Sequence, residues 1–264
     1  MTDISSEPGN SDNQTHFGYR RVGEKEKVRL VQDHFDTVAA RYDLTNTILS
    51  FGRQIAWKKA AVESMQLRPG DRVLDVCGGT GDLALRAARR IGPQGTVTLY
   101  DFNRSMIQVG QRKVATSDHR GSIFFVQGDA EVISLADNSF DAAMVGFGIR
   151  NLAHPVKGFQ EIYRVLKPGG RFMCLEFSQP PAAWFRKLYD FYSFYVMPLV
   201  GRIMVGSREA YQYLPESIRV FSGPRELSEI IGGVGFEQVR FKIMTQGIAA
   251  LHTAVKPNSD IPQA

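Results

Sequence analysis

Residues 73–83 read VLDVCGGTGDL: an apolar run reaches an aspartate, breaks into glycines and closes on a second aspartate. A short apolar run ended by a turn signal fits a strand buried on both faces. Glycines 78, 79 and 81 allow a tight turn and leave room for a ligand to lie against the backbone. The helix expected to follow points its free amides at the same place. In an open α/β sheet, ligands collect beyond the carboxyl ends of the strands, so the unit reads as a nucleotide cradle. A plain strand-to-helix turn is the competing reading of the glycines alone.

Working outward, strands fit residues 72–76, 96–100, 123–127, 141–146 and 171–177, with helices at 81–91, 104–116 and 155–166 between them. Parallel neighbours need a crossover, and crossover helices cover both faces of the sheet. A helical segment follows from 183 to about 204, then a helix at 224–232. Two last runs, FEQVRFKIM and IAALHTAVK, lie close together across Thr245-Gln246-Gly247 and predict a closing antiparallel hairpin at the sheet edge. The expected fold class is α/β, doubly wound, with a mainly parallel seven-stranded sheet. Before the sheet, Val28, Val31, Phe35, Val38, Tyr42 and Leu49 recur at helical spacing, and a second helical stretch runs from about Gln54 to Met65. Residues 16–66 therefore read as a helical lid on a single domain spanning 16–256.

Composition narrows the setting. A chain of 264 residues with 43% hydrophobic content is long enough for one well-filled α/β domain. Residues 1–15 and 257–264 read as disordered tails, and the first of them has no apolar core suited to a signal peptide. Two cysteines, Cys77 and Cys174, make no disulfide framework and suit buried thiols in the cytoplasm. The longest apolar stretch, FYSFYVMPLVGRIMVG at 191–206, is interrupted by Pro198, Gly201 and Arg202, so no spanning helix is expected. A net charge of +5 spread along the chain permits attraction to anionic lipid and gives no reason to expect nucleic-acid binding.

Two cofactor classes compete for the cradle, because Gly79-Thr80-Gly81-Asp82-Leu83-Ala84 also satisfies a loose dinucleotide fingerprint. Asp75 at the strand end and Asp82 at the helix start would repel a diphosphate. A sulfonium nucleoside, S-adenosylmethionine, is the better electrostatic match. Asp101 stands 20 positions beyond Gly81, where an acid suits both ribose hydroxyls of either cofactor. In VQGDAE, Asp129 and Ala130 sit where an adenine would be read, with a helix cap as the rival role for Asp129. Gly146 ends the fourth strand, and Arg150 and Asn151 follow it on the substrate side. No metal site is expected.

At this point the residues resemble the ubiquinone/menaquinone C-methyltransferase family. The resemblance rests on THFGYRRV (15–22), ARYDLTN (40–46), SFG (50–52), GGTGDL (78–83), FGIRN (147–151), YRVLKPGG (163–170) and LEFS (175–178), with YSFYVMPLVG and YQYLPESI beyond them. It spans about Thr15 to Val255 and implies a Rossmann-like class I methyltransferase. It implies methyl transfer from S-adenosylmethionine to a ring carbon of a polyprenyl quinol: demethylmenaquinol, or the methoxy-polyprenyl-benzoquinol precursor of ubiquinone. Carried over, the cofactor contacts are Thr80, Asp101, Asp129, Ala130 and Gly146, to which the reading of the loop itself adds Asp75, Gly79 and Gly81. Cys77 departs from the usual first glycine of the loop, which implies adjusted packing.

Methylation of an aromatic carbon needs electron density there, which an ionised quinol hydroxyl supplies. Arg150, always charged, is expected to hold that oxyanion or orient a relay water. Asn151 stands beside it. Tyr42 and Asp43 are lid candidates, Tyr42 being equally a core aromatic, and His34 is a conceivable base that is also read as packing. The apolar segment from Trp184 to Met204 suits a prenyl groove as well as a core helix. A substrate dissolved in lipid implies reversible attachment to the cytoplasmic face of the inner membrane, with a homodimer or a quinone-synthesis assembly left open. Three other readings remain: a methyltransferase for another small aromatic acceptor, a nicotinamide-dependent oxidoreductase, and a non-enzymatic cofactor-binding scaffold.

Overall fold

The computed structural model describes residues 14–207 and 209–258. Most of both expected tails lies outside them, but Gln14 and Thr15 begin a short strand.

Seven strands form one mixed sheet: β3 (Arg72–Val76), β4 (Thr96–Asp101), β5 (Ile123–Gln127), β6 (Phe140–Gly146), β7 (Leu166–Phe177), β8 (Glu237–Met244) and β9 (Ala249–Val255), in the order β5-β4-β3-β6-β7-β9-β8. The first five run parallel, and β9 pairs antiparallel with both β7 and β8. The doubly wound sheet and its terminal hairpin follow the sequence expectation. Alternation along each strand divides the core between two faces. Val73, Leu99, Met144 and Leu175 point to one side. Leu74, Tyr100, Val145 and Cys174 point to the other.

Helices α3 (Arg53–Ser64), α4 (Asp82–Ile91) and α5 (Arg104–Ala115) cover the first side through Trp57, Ala84, Ala88 and Ile107. Helices α6 (Pro155–Val165) and α10 (Pro224–Gly233) cover the second through Phe159, Ile162 and Ile231. Strand order reverses at β3, whose neighbours are β4 and β6, so the glycine loop opens at the crevice where such sheets bind ligands.

The amino-terminal region is not wholly helical. Strands β1 (Gln14–Phe17) and β2 (Arg20–Gly23) pair as a hairpin around Gly18, whose φ of +59° suits glycine. Helices α1 (Glu24–Val38) and α2 (Tyr42–Leu49) follow, then α3. The 183–204 expectation resolves into α7 (Ala183–Phe191), a π-helical turn at Tyr192–Val196 and α8 (Met197–Val205). Helix α9 (Glu209–Val220) carries Pro215 inside it. A third apolar cluster, with Val38, Leu49, Met197 and Tyr211, joins α1, α2, α8 and α9.

Candidate functional site

Two cavities meet over the carboxyl end of the sheet. The first, about 210 Å³, is floored by the glycine loop and roofed by Val28, Val31 and Phe35 of α1. Asp75, Gly79, Thr80, Asp101, Asp129, Ala130, Gly146, Asn151 and Tyr42 all line it. Gly79 and Gly81 take φ of +53° and +79°, the left-handed region that glycine enters at little cost. Gly81 itself does not reach the cavity but starts α4. At Gly146 a Cβ would meet Leu83 Cδ1 at 2.5 Å, so glycine there lets α4 close on β6. Cys77, in the first glycine position, also takes a positive φ, +54°, which costs a side-chain-bearing residue strain.

The carboxylates differ in their satisfaction. Asp101 accepts the amides of Gly79 and Asn103, each at 2.8 Å, so this acid fixes the loop. Burial raises its pKa to about 6 against the pull of those amides. Asp129 accepts the Glu131 amide at 2.9 Å, which turns the chain and aims Ala130 inward. Asp75 is fully buried, and neither carboxylate oxygen makes a hydrogen bond of normal geometry. Burial drives its pKa up to about 8, only partly opposed by the Ala84 amide.

A buried carboxylate without a partner fits a ligand that brings positive charge or donors. The neighbouring wall of Tyr100, Phe102, Met106 and Ala130 suits a flat base. A diphosphate finds no free cation: Lys58, the only basic side chain lining the cavity among the described residues, is bound to Asp82 at 2.8 Å. These residues fit S-adenosylmethionine.

Asp82 does not repel a diphosphate as the sequence suggests. Burial alone would raise its pKa, but Lys58 and Lys113 outweigh it and hold the carboxyl down at about 2. Lys113 bridges Asp82 at 2.5 Å and Asp43 at 2.6 Å. Asp43 in turn accepts the Thr80 hydroxyl at 2.6 Å. This chain of charges ties α2 and α3 to the glycine loop and to α5.

The second cavity, about 440 Å³, is walled by Leu49, Trp57, Phe177, Phe185, Tyr189 and Tyr192 among others. Two of its polar tips are already satisfied: Trp57 Nε1 donates to Thr245 Oγ1 at 2.8 Å, and the Tyr192 hydroxyl donates to the Leu49 carbonyl at 2.8 Å. The interior is left mainly apolar, with Asn46, Ser50, Arg53, Gln54 and Thr245 as the polar part of its lining. Tyr42 and Phe147 line both cavities. Phe147 takes a φ of +59°, an outlier for a bulky residue, and its ring lies 4.4 Å from that of Phe177.

Arg150 lines neither cavity. It is 8% exposed, and its Nη1 donates to Glu176 at 2.8 Å and to the Phe147 carbonyl at 2.5 Å. Its Nε donates to Ser217 at 3.3 Å, and the guanidinium lies over the Phe177 ring. The guanidinium is thus engaged through Nη1 and Nε by Glu176, Ser217 and the strained Phe147 turn. Asn151 does face the first cavity. Its Oδ1 accepts the Tyr213 hydroxyl at 2.8 Å and its amide nitrogen donates to the Phe147 carbonyl at 3.5 Å, which leaves the second N–H of that nitrogen as a donor.

Burial holds the Tyr42 hydroxyl well above its ordinary pKa, with Arg150 opposing, so Tyr42 stays a protonated hydroxyl. His34 packs edge-on to Phe35 and Tyr213, each 5.0 Å away. Burial, reinforced by Arg150, lowers its pKa to about 4, which makes it a weak base. The sequence reading took Asp43 only as a lid candidate and missed Lys113, Phe147, Glu176 and Tyr213. Only Glu176 carried a signal, as an acid inside the apolar run MCLEF.

Residues 21–256 match the ubiE/COQ5 methyltransferase family. The ubiquinone/menaquinone biosynthesis C-methyltransferase UbiE of Azotobacter vinelandii is 44% identical over 252 residues, 96% of this chain and 100% of that one. Its namesake in Pseudomonas fluorescens is 44% identical over 243 residues, 92% of this chain and 95% of that one. Among solved structures, phosphoethanolamine N-methyltransferase 2 of Haemonchus contortus, in complex with S-adenosyl-L-methionine, resembles this chain with a TM-score of 0.56. At 19% identity over 76% of this chain and 52% of that one, the likeness is one of fold.

Proposed function

The chain belongs to the ubiE/COQ5 methyltransferase family, and from that membership and the paired cavities we infer that it methylates a ring carbon of a polyprenyl quinol of the menaquinone or ubiquinone type. It is an S-adenosylmethionine-dependent C-methyltransferase of quinone biosynthesis. The observation that carries the substrate is the apolar cavity of about 440 Å³ that shares Tyr42 and Phe147 with the cofactor cradle. That volume lies in the ordinary range for small-molecule pockets, and its aromatic walls suit a flat ring with an isoprenoid tail.

Asp75, Gly79, Thr80, Asp101, Asp129, Ala130 and Gly146 would hold S-adenosylmethionine, with Gly81 shaping the turn beneath them. When bound, it supplies a methyl group as an electrophile to the ring carbon, which loses a hydrogen as a proton. The chain's own residues prepare the acceptor. A quinol hydroxyl with an ordinary pKa near ~10 is mostly protonated at neutral pH, so its oxyanion needs donors. The donors in this reading are the Tyr42 hydroxyl, kept protonated by burial, and the Asn151 N–H left over from its bond to the Phe147 carbonyl. Arg150 acts one step back as a positioning residue, holding the Phe147 carbonyl and so the wall between the cavities. The α1–α2 roof excludes water that would protonate the oxyanion or disturb alignment.

The quinol is lipid-soluble, and among the described residues no helix is long and apolar enough to cross a membrane. The reading is therefore a cytoplasmic protein that visits the membrane face reversibly. Incubation with isotopically labelled S-adenosylmethionine and each reduced quinol, with products identified by mass, tests the substrate. Methylation of neither ring, while another acceptor is labelled, overturns it.

A further inference from the structure

The outer side of residues 183–205 carries an unbroken apolar stripe. Trp184, Leu188, Phe191, Tyr195, Leu199 and Ile203 are each between 57 and 72% exposed. They follow one another at three- or four-residue spacing, one side of a helix. Positions four apart drift around an α-helix by about 40° per step, and the wider π turn at Tyr192–Val196 takes up that drift. The opposite side, with Tyr189, Ser193 and Met197, is buried. Phe51, at the corner between α2 and α3 and 79% exposed, extends the patch, its ring 5.7 Å from Tyr192.

Two features say what covers this face. Phe51 and Leu188 belong both to the patch and to the lining of the apolar cavity, so the surface runs into the acceptor site. Arg186, Lys187 and Arg202 are exposed on the same segment and make no ion pair among the described residues, whereas its one acid, Asp190, pairs with Arg219. A second copy related by a two-fold axis would bring these like charges together. An anionic phospholipid surface would neutralise them while taking up the stripe.

We propose that residues 183–205, with the Phe51 corner, form the face by which the protein docks on anionic phospholipid bilayers, the apolar stripe at the acyl boundary and the three cations among the headgroups. Delivery of the prenyl tail through the mouth between Phe51 and Leu188 rests on the quinol reading above; docking itself does not.

Co-sedimentation of the full chain with phosphatidylglycerol-containing vesicles, against pure phosphatidylcholine vesicles, tests the proposal. Binding to the anionic vesicles is expected to be at least about tenfold tighter and to weaken with salt. The double variant L199E/I203E, whose positions line neither cavity, is expected to lose vesicle binding by at least about tenfold. It should turn over a short-chain, water-soluble quinol at the wild-type rate, which also reports that it folds, and lose turnover of a long-chain quinol presented in vesicles. The triple variant R186Q/K187Q/R202Q should bind both vesicle types alike. Wild-type protein that ignores the charge of the vesicle overturns the proposal, as does L199E/I203E that sediments like wild type. A wild-type dimer that L199E/I203E converts to monomer, with no vesicle binding by either, assigns the face to a second copy and also overturns it. Vesicle binding as expected, with no methylation of short-chain quinols of either ring, refutes the quinol reading and leaves docking standing.

Discussion

Asp75 should make cofactor binding depend on pH. In the free protein its carboxyl has a pKa of about 8, because burial disfavours the charged form more than the Ala84 amide supports it. A cation bound beside it holds it ionised, so binding expels a proton and affinity rises with pH. For a group of pKa about 8 that must ionise, the dissociation constant tightens about 50-fold from pH 6 to pH 8. The other groups that act on Asp75 contribute little over this window. Asp101, at about 6, adds roughly a factor of two, and Asp82, at about 2 and paired with Lys58, stays ionised throughout.

Asp75→Asn removes the dependence while keeping the shape. It should also raise the melting temperature at pH 8. The wild-type carboxyl has a folded pKa above its unfolded one, so its contribution is full below about pH 4 and lost as pH rises through about 8. Calorimetric titration of both proteins with S-adenosylmethionine at pH 6, 7 and 8, in buffers of differing ionisation heat, measures the affinity and counts the proton. The ligand's own amino group titrates in both experiments, so the ratio between the proteins isolates Asp75. An affinity that changes equally in wild type and Asp75→Asn would refute the reasoning.

Removing Arg150 should act first on stability. Arg150→Ala leaves Glu176 buried and unpaired, with an expected loss of about 3–5 kcal/mol in urea unfolding; Arg150→Met with Glu176→Gln should recover most of that but not the turnover, since Phe147 loses its tether. Tyr42→Phe should leave the affinity for S-adenosylmethionine within about twofold and lower kcat by about 100-fold, as for a lost oxyanion donor, and unchanged kcat would remove Tyr42 from the chemistry. Lys113→Met opens the Asp43–Lys113–Asp82 chain and should weaken cofactor binding by about two- to fivefold, with faster amide exchange in α2 as the second readout.

What the sequence made legible followed from local demands. The turn after β3 needs positive φ at 79 and 81, and only glycine meets that without strain. The parallel order follows because buried strands separated by helices have few other ways to connect. The β1–β2 hairpin was hidden, being two four-residue strands with mostly exposed or half-exposed positions and no clear alternation. Arg150 was visible, but its partner was not. Glu176 is 26 residues away and reaches it only because β6 and β7 pair in register, Gly146 beside Leu175. For the same reason the charge of Asp82 looked available, although Lys58 and Lys113, from α3 and α5, consume it. Long-range ion pairs decide which charges a ligand meets, and no local pattern announces them.

The roof over the cradle comes from the front of the chain, whereas everything it rests on comes later. Val28, Val31, Phe35 and Tyr42 find their neighbours only once the loops after β3, β4 and β6 exist. During synthesis this stretch leaves the ribosome ahead of those loops and waits, its apolar side uncovered, until more than a hundred further residues have followed. A segment made before the strands is thereby seated after them, and pulse-labelled amide exchange during refolding should find α1 protected later than the sheet.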